Sequence, residues 1–289
     1  MNYMKKLRRV ILIKLRNGVT IPKLGLGTFK MTDANNIINV ITNALEIGYR
    51  HFDTAQMYEN EKEIGIALKK NKIDRNEIFI TTKLKNHHNP ETTKQLILKS
   101  IKDLQIEYLD LLLIHWPNHD NNINLQTWRV FEELYKEGLI RAIGVSNFTR
   151  YQLEQLLPHC EIKPMVNQVE IHPGLSQEPL IEYLLKHDIV PISYGPLMRG
   201  LIFDSPYFDC LSEIAHKHNA TVAQIAIAWG LNRNIVMIPK TETVSRLNEN
   251  YLAKNIILDS EDMEKINNLN TGKRLYSDPS NNIYGKFIK

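Results

Sequence analysis

Short runs of apolar and β-branched residues alternate along this chain with longer stretches whose apolar positions recur every three to four residues. The short runs fall at 49–55, 78–84, 109–116, 140–147, 165–171, 189–194 and 235–240. They are almost continuously apolar, the mark of parallel strands covered on both faces. Between them lie amphipathic stretches at 33–47, 61–71, 90–104, 125–137, 150–157, 178–187, 206–218 and 221–231, which predict helices. One strand plus one helix repeats about every 30 residues, a spacing typical of βα units. Seven units are visible; the eighth strand is expected within 252–257, before a last helix at 261–269. Ahead of the repeats, 10–15 and 19–24 flank Asn17-Gly18 and predict a hairpin with a two-residue type I′ turn. A tight turn containing glycine is expected at 25–29. The pattern predicts an α/β fold, a (β/α)8 TIM barrel with an N-terminal β-hairpin, over an open doubly wound sheet. No GxGxxG follows the first strand, which also counts against a Rossmann site.

The chain has 289 residues, 43% of them hydrophobic, enough for one barrel domain over 1–289 with a basic leader at 1–9 and a tail at 270–289. That tail carries Gly, Pro and Ser without periodicity, and reads either as a strap across one face of the barrel or as a frayed end. The leader precedes an apolar run broken by Lys14 and lacks a small-residue cleavage site, so it does not read as a signal peptide. No apolar run is long enough to span a membrane. The net charge of +4 is a mixed field that argues against nucleic acid as the main partner, while leaving room for a local site for an anionic ligand. Cys160 and Cys210 have no metal-ligand spacing, so no metal is expected and a cytoplasmic protein with reduced thiols is the simplest reading. The oligomeric expectation is a monomer.

Barrel active sites form at the C-terminal ends of the strands, so the polar residue closing each apolar run is where reactive groups are sought. The first visible run closes at Asp53, with Tyr58 five positions on; the second reaches Lys83 and the third His115. Singly, Lys83 also reads as a rim lysine, His115 as a satisfied core histidine and Asp53 as a helix cap. Converging in one mouth beside a phenol, they form a proton-handling group. A cation beside the phenol is expected to lower its pKa, with Lys83 as that cation and Asp53 holding it. His115 would then orient a carbonyl oxygen or share the proton transfer. Farther on, Lys240, Thr241 and Arg246 gather two cations and a hydroxyl where barrels hold phosphate, although a solvated charged face remains the alternative.

Several motifs occur in order: Gly-Leu-Gly-Thr-Phe at 25–29, His-Phe-Asp-Thr-Ala at 51–55, Tyr-Glu-Asn-Glu at 58–61, Thr-Lys at 82–83 and Asp-Leu-Leu-Leu-Ile-His-Trp-Pro at 110–117. Ile-Gly-Val-Ser-Asn-Phe at 143–148, Asn-Gln-Val-Glu-Ile-His-Pro at 167–173 and Ile-Pro-Lys at 238–240 follow. Through them the chain resembles the aldo-keto reductases, over about residues 17–269, and within them the bacterial branch with glyoxal and diketogluconate reductases. The resemblance implies a (β/α)8 barrel that uses NADPH/NADP+ to interconvert a small-molecule carbonyl (aldehyde, ketone or α-dicarbonyl) and its alcohol. It puts the catalytic tetrad on Asp53, Tyr58, Lys83 and His115, with Tyr58 as general acid. It implies cofactor contacts from Gly27, Thr28 and Asp53 near the nicotinamide ribose, from Ser146, Asn147 and Gln168 to the carboxamide, and from Tyr194 stacked on the ring. Leu197 and Arg199 fall on the pyrophosphate loop, Lys240, Thr241 and Arg246 on the 2′-phosphate, and Glu249 and Asn250 on the adenine. Phe29, Trp116, His115 and His87 match positions that line substrate pockets. The chain departs from the bacterial Ser-Pro-Leu-Gly pattern at Gly195 and Met198, which puts the closure of the pyrophosphate loop in question. Two rivals to the enzyme reading are a nucleotide-binding redox sensor with little turnover, and a barrel isomerase or hydrolase using Asp53 and His115 without nucleotide.

Overall fold

The computed structural model describes residues 11–85 and 88–280. The leader at 1–9, His87 and the tail beyond residue 280 lie outside the described residues. Strands β1 (Leu12–Lys14) and β2 (Thr20–Pro22) form an antiparallel hairpin ahead of eight parallel strands. These are β3 (Leu26–Gly27), β4 (His51–Asp53), β5 (Phe79–Leu84), β6 (Leu111–Ile114), β7 (Ile143–Ser146), β8 (Val166–Glu170), β9 (Val190–Tyr194) and β10 (Val236–Met237). They pair in sequence order, each crossover carrying at least one helix. Parallel bridges Leu24↔Met237 and Gly27↔Lys240 join the first strand to the last and close the (β/α)8 barrel. No described helix is long and apolar enough to cross a membrane. Cys160 and Cys210 are free thiols.

Two buried clusters explain why the strands read as unbroken apolar runs. Leu111 and Leu113 pack inside the barrel with Phe79, Ile192, Val236 and Ile238, while Leu112 and Ile114 pack outward beneath the helices with Trp128 and Phe131. Alternate residues of one strand therefore enter two different cores. The hairpin contributes Leu15 and Ile21 to the inner cluster and plugs the N-terminal end of the barrel, leaving the other end for chemistry.

The structure corrects four expectations. Residues 25–29 contain a barrel strand, β3, whose hold is mostly backbone: Gly25 N–H donates to Met237 O (2.9 Å) and Gly27 N–H to Pro239 O (3.1 Å). Residues 252–257 are not a strand; they comprise the end of helix Val244–Leu252 and a single 3-10 turn, Ala253–Asn255. The hairpin loop is longer than two residues, because Leu15 N–H still donates to Val19 O (2.8 Å) and Gly18, at φ +90°, supplies the left-handed step. The helix expected at 125–137 starts a turn earlier, at Asn121, because the Asp120 carboxylate accepts from the Asn122 N–H and caps it.

Candidate active site

The parallel register aims the polar strand ends at one point. Asp53 lies opposite Thr81, so Lys83 stands two residues nearer the mouth on the next strand, and His115 follows β6 directly. A single 3-10 turn, Gln56–Tyr58, brings the phenol back over them. Lys83 Nζ donates to Asp53 Oδ1 (2.6 Å) and Thr54 O (2.8 Å) and reaches Tyr58 Oη at 3.5 Å. Asp53 Oδ2 accepts from Gln168 Nε2 (2.7 Å), and Thr28 Oγ1 donates to Asp53 O (3.1 Å). The His115 and Phe29 rings flank Tyr58, with centroids 5.7 Å and 5.1 Å away. The tetrad read from strand position is thus one contiguous group.

Its electrostatics differ from expectation in one respect. The Tyr58 pKa is pushed well above its ordinary value, first by burial and then by the charge of Asp53. Lys83 does not lower it, because burial and the Asp53 charge outweigh the ammonium 3.5 Å away. Burial pulls the Lys83 pKa down against the opposing pull of Asp53. Burial, with Lys83 second, holds His115 well below the ordinary histidine value. At neutral pH the site therefore holds a protonated phenol and an uncharged imidazole, whose buried Nδ1 has no hydrogen-bond partner among the described residues.

Adjoining the tetrad, four residues expected at the nicotinamide are linked. Tyr194 Oη donates to Asn147 Oδ1 (2.7 Å), Asn147 Nδ2 donates to His115 O (2.9 Å), and Ser146 Oγ donates to Gln168 O (2.8 Å). Asn147 takes a left-handed φ of 63° to turn its amide inward. Gly27 and Thr28 lie on and just beyond β3. Trp116 is half-buried next to His115.

At the other end Lys240, Thr241 and Arg246 fall at a strand end and in the following helix, Val244–Leu252. Arg246 is exposed and has no ion pair among the described residues, whereas Lys240 is paired with Glu242. Glu249 accepts from Thr221 Oγ1 (2.6 Å), so its carboxylate already serves a helix cap, and Asn250 is buried. Leu197 is half-buried, while Arg199 is turned toward the tail: Nη1 donates to Leu275 O (3.2 Å) and the guanidinium covers the Tyr276 ring at 5.1 Å. An aromatic face with amides at one end and two cations at the other is a donor set that fits a phosphorylated dinucleotide.

Sequence reasoning missed Tyr276. The tail crosses the mouth: Thr271 and Lys273 N–H donate to Gly174 O (3.2 and 3.1 Å), and Leu275 N–H donates to the buried Glu170 Oε1 (2.6 Å). This sets Tyr276 edge-on to Tyr194, centroids 5.1 Å apart. A Cβ at Gly195 would lie 2.9 Å from the Tyr276 ring, so the departure at 195 has a steric partner in the tail. A hollow of about 640 Å3 between helices Arg150–Leu156 and Glu178–Lys186 lies outside the barrel and touches no tetrad residue. Convergence of side chains, not cavity size, locates the site.

Barrel and site together define a carbonyl-reducing oxidoreductase that works with a nicotinamide cofactor, and the chain belongs to the Aldo/keto reductase family, whose profile matches residues 23–271. Among curated relatives it is 44% identical over 273 residues to the glyoxal reductase of Bacillus subtilis, covering 94% of this chain and 97% of that protein. It is 41% identical over 271 residues to a methylglyoxal reductase of Escherichia coli O157:H7, covering 92% and 96%. The structure of an aldo-keto reductase from a deep-sea metagenome library superposes with a TM-score of 0.91 at 43% identity, covering 95% of this chain and all (100%) of that one. A silkworm aldo-keto reductase solved with NADPH superposes with a TM-score of 0.86 at 34% identity, covering 92% and 89%.

Proposed function

We propose that this protein is an NADPH-dependent reductase of small aldehydes and α-dicarbonyls, with Tyr58 as the general acid. The observation that carries the reading is the Lys83 ammonium, ion-paired to Asp53 yet 3.5 Å from the Tyr58 oxygen. Burial and Asp53 hold the phenol protonated, so it meets a carbonyl oxygen as a hydrogen-bond donor. As negative charge develops on that oxygen, the phenolic proton passes to it. The phenolate left behind gains the nearby ammonium as counter-ion, an interaction stronger after proton transfer than before. Uncharged His115 can orient the carbonyl by donating a hydrogen bond without presenting a cation that would compete with Lys83. Bound NADPH would supply the hydride to the carbonyl carbon. Asn147, Gln168 and Tyr194 would hold the nicotinamide, and Leu197 and Arg199 would border the pyrophosphate. Lys240, Thr241 and Arg246 would meet the 2′-phosphate, with Glu249 and Asn250 beside the adenine. The Phe29 ring beside Tyr58 and the Tyr276 ring beside Tyr194 would line the substrate side of the site with Trp116, and the relatives named for glyoxal and methylglyoxal support a small substrate.

The test is NADPH oxidation with methylglyoxal and a panel of aromatic aldehydes. Tyr58→Phe should lower kcat by about 10^3-fold or more, on the order of a lost general acid and its counter-ion, and leave the NADPH Kd nearly unchanged. Turnover at the wild-type rate in Tyr58→Phe would place the acid elsewhere.

A further inference from the structure

The lysine expected at the 2′-phosphate does not stand free. Lys240 is ion-paired with Glu242, and both side chains are about one-third open to solvent, at 36% and 39%. The charges in this segment are Lys240, Glu242, Arg246 and Glu249, so its two cations are formally cancelled. Glu249 is committed to Thr221 Oγ1 at 2.6 Å. Glu242 is therefore the carboxylate that neutralises the phosphate-facing lysine directly.

Dinucleotide sites separate the two nicotinamide cofactors by charge: a carboxylate accepts the ribose 2′-hydroxyl of NADH, and a cation accommodates the 2′-phosphate of NADPH. Here both devices occur two residues apart and already satisfy each other. We propose that Glu242 is a cofactor-discriminating residue which weakens NADPH binding and accepts the 2′-hydroxyl of NADH, so that the enzyme uses both cofactors with a shallow preference. The proposal rests on Lys240 and Arg246 forming the 2′-phosphate site. For NADPH to bind, the phosphate must either displace the Glu242 carboxylate from Lys240 or sit beside it as a like charge. NADH makes neither demand, because the Lys240–Glu242 pair stays intact and its outer oxygen can take the hydroxyl.

The adenosine end can be tested apart from turnover by calorimetric titration with 2′,5′-ADP and 5′-ADP, for the wild type, Glu242→Gln and Lys240→Met. One like charge at contact distance near water corresponds to about 5- to 10-fold in affinity. Glu242→Gln should tighten 2′,5′-ADP by about that factor and leave 5′-ADP unchanged or weaker, with the NADPH/NADH ratio of kcat/KM rising in parallel. The gap between wild type and variant should shrink as salt is added, because the pair is exposed. Glu242→Gln binding both ligands as the wild type does, or tightening both equally, overturns the proposal. Lys240→Met binding 2′,5′-ADP as tightly as the wild type would overturn the phosphate site itself, and the role of Glu242 with it.

Discussion

Lys83→Met separates the two tasks assigned to the buried ion pair. The substitution keeps most of the side-chain volume but leaves Asp53, 2% exposed, facing an apolar group with Gln168 Nε2 as its remaining side-chain donor. Removing one partner of a buried pair costs about 3–5 kcal/mol, because the surviving charge is uncompensated. At about 2 °C per kcal/mol for a domain this large, Tm should fall by roughly 6–10 °C. The catalytic loss has a different origin. An ammonium 3.5 Å from the phenol oxygen, at an effective dielectric constant near 20, stabilises a phenolate by about 4–5 kcal/mol, which is about 10^3-fold in kcat. The double variant Lys83→Met/Asp53→Asn removes both charges, so it should regain most of the lost Tm and none of the lost kcat. Thermal unfolding and single-turnover NADPH oxidation, read on the same preparations, test both halves. A double variant as unstable as Lys83→Met would refute the uncompensated-charge argument. A single variant within tenfold of the wild-type rate would refute the phenolate argument.

Two further outcomes follow from buried groups near the site. Gly195 has φ +66° and its Cβ position lies 2.9 Å from the Tyr276 ring, so Gly195→Ala should lower stability through both strain and clash. The backbone part is about 1–2 kcal/mol; adding Tyr276→Ala should relieve the clash alone, and full recovery of Tm in the double variant would show that the backbone was never strained. Burial, the leading cause, lowers His51 from 6.5 to about 4, so the unfolded chain binds its proton first as pH falls. Stability present above 6.5 should then be lost between 6.5 and 4, a loss of about 3 kcal/mol from this residue. Denaturant titrations across that window should give a shallower slope for His51→Gln, and an unchanged slope would exclude His51 as a source.

The parts of the fold and site that were legible in sequence share a cause. Asp53, Lys83 and His115 each follow an apolar run, and a parallel barrel stacks such run-ends at one rim, so position along the chain translated into position in space. β3 lacked that signal: with two residues, one a glycine, its strand character lies in hydrogen bonds to Met237 and Pro239 and not in side-chain periodicity. Residues 252–257 misled for the opposite reason. Leu252, Ile256 and Ile257 are apolar in composition, but the helix from Val244 runs into them, and Ile257 is 81% exposed. Tyr276 sits in an aperiodic segment, anchored by backbone donors and accommodated by a missing side chain at Gly195, neither of which leaves a pattern. The direction of the Tyr58 shift depended on burial: the sequence puts a lysine beside a phenol, and only the fold shows that the phenol is enclosed next to the Asp53 charge.

A lysine paired with a carboxylate occurs at both ends of the proposed cleft. Lys83 is ion-paired with Asp53 beneath the expected carbonyl position, and Lys240 with Glu242 at the proposed adenosine end. The difference lies in burial. The inner pair is 1% and 3% exposed and held by Thr54 and Gln168 as well, so opening it costs several kcal/mol and its geometry is fixed beside Tyr58. The outer pair is exposed, held by one contact, and cheap to open, since surface ion pairs contribute about 0–1 kcal/mol. A ligand phosphate can therefore compete for Lys240 but not for Lys83. On the proposed reading, the same pairing of lysine and carboxylate would serve as a rigid electrostatic floor beside Tyr58 and as an exchangeable latch at the 2′-phosphate position.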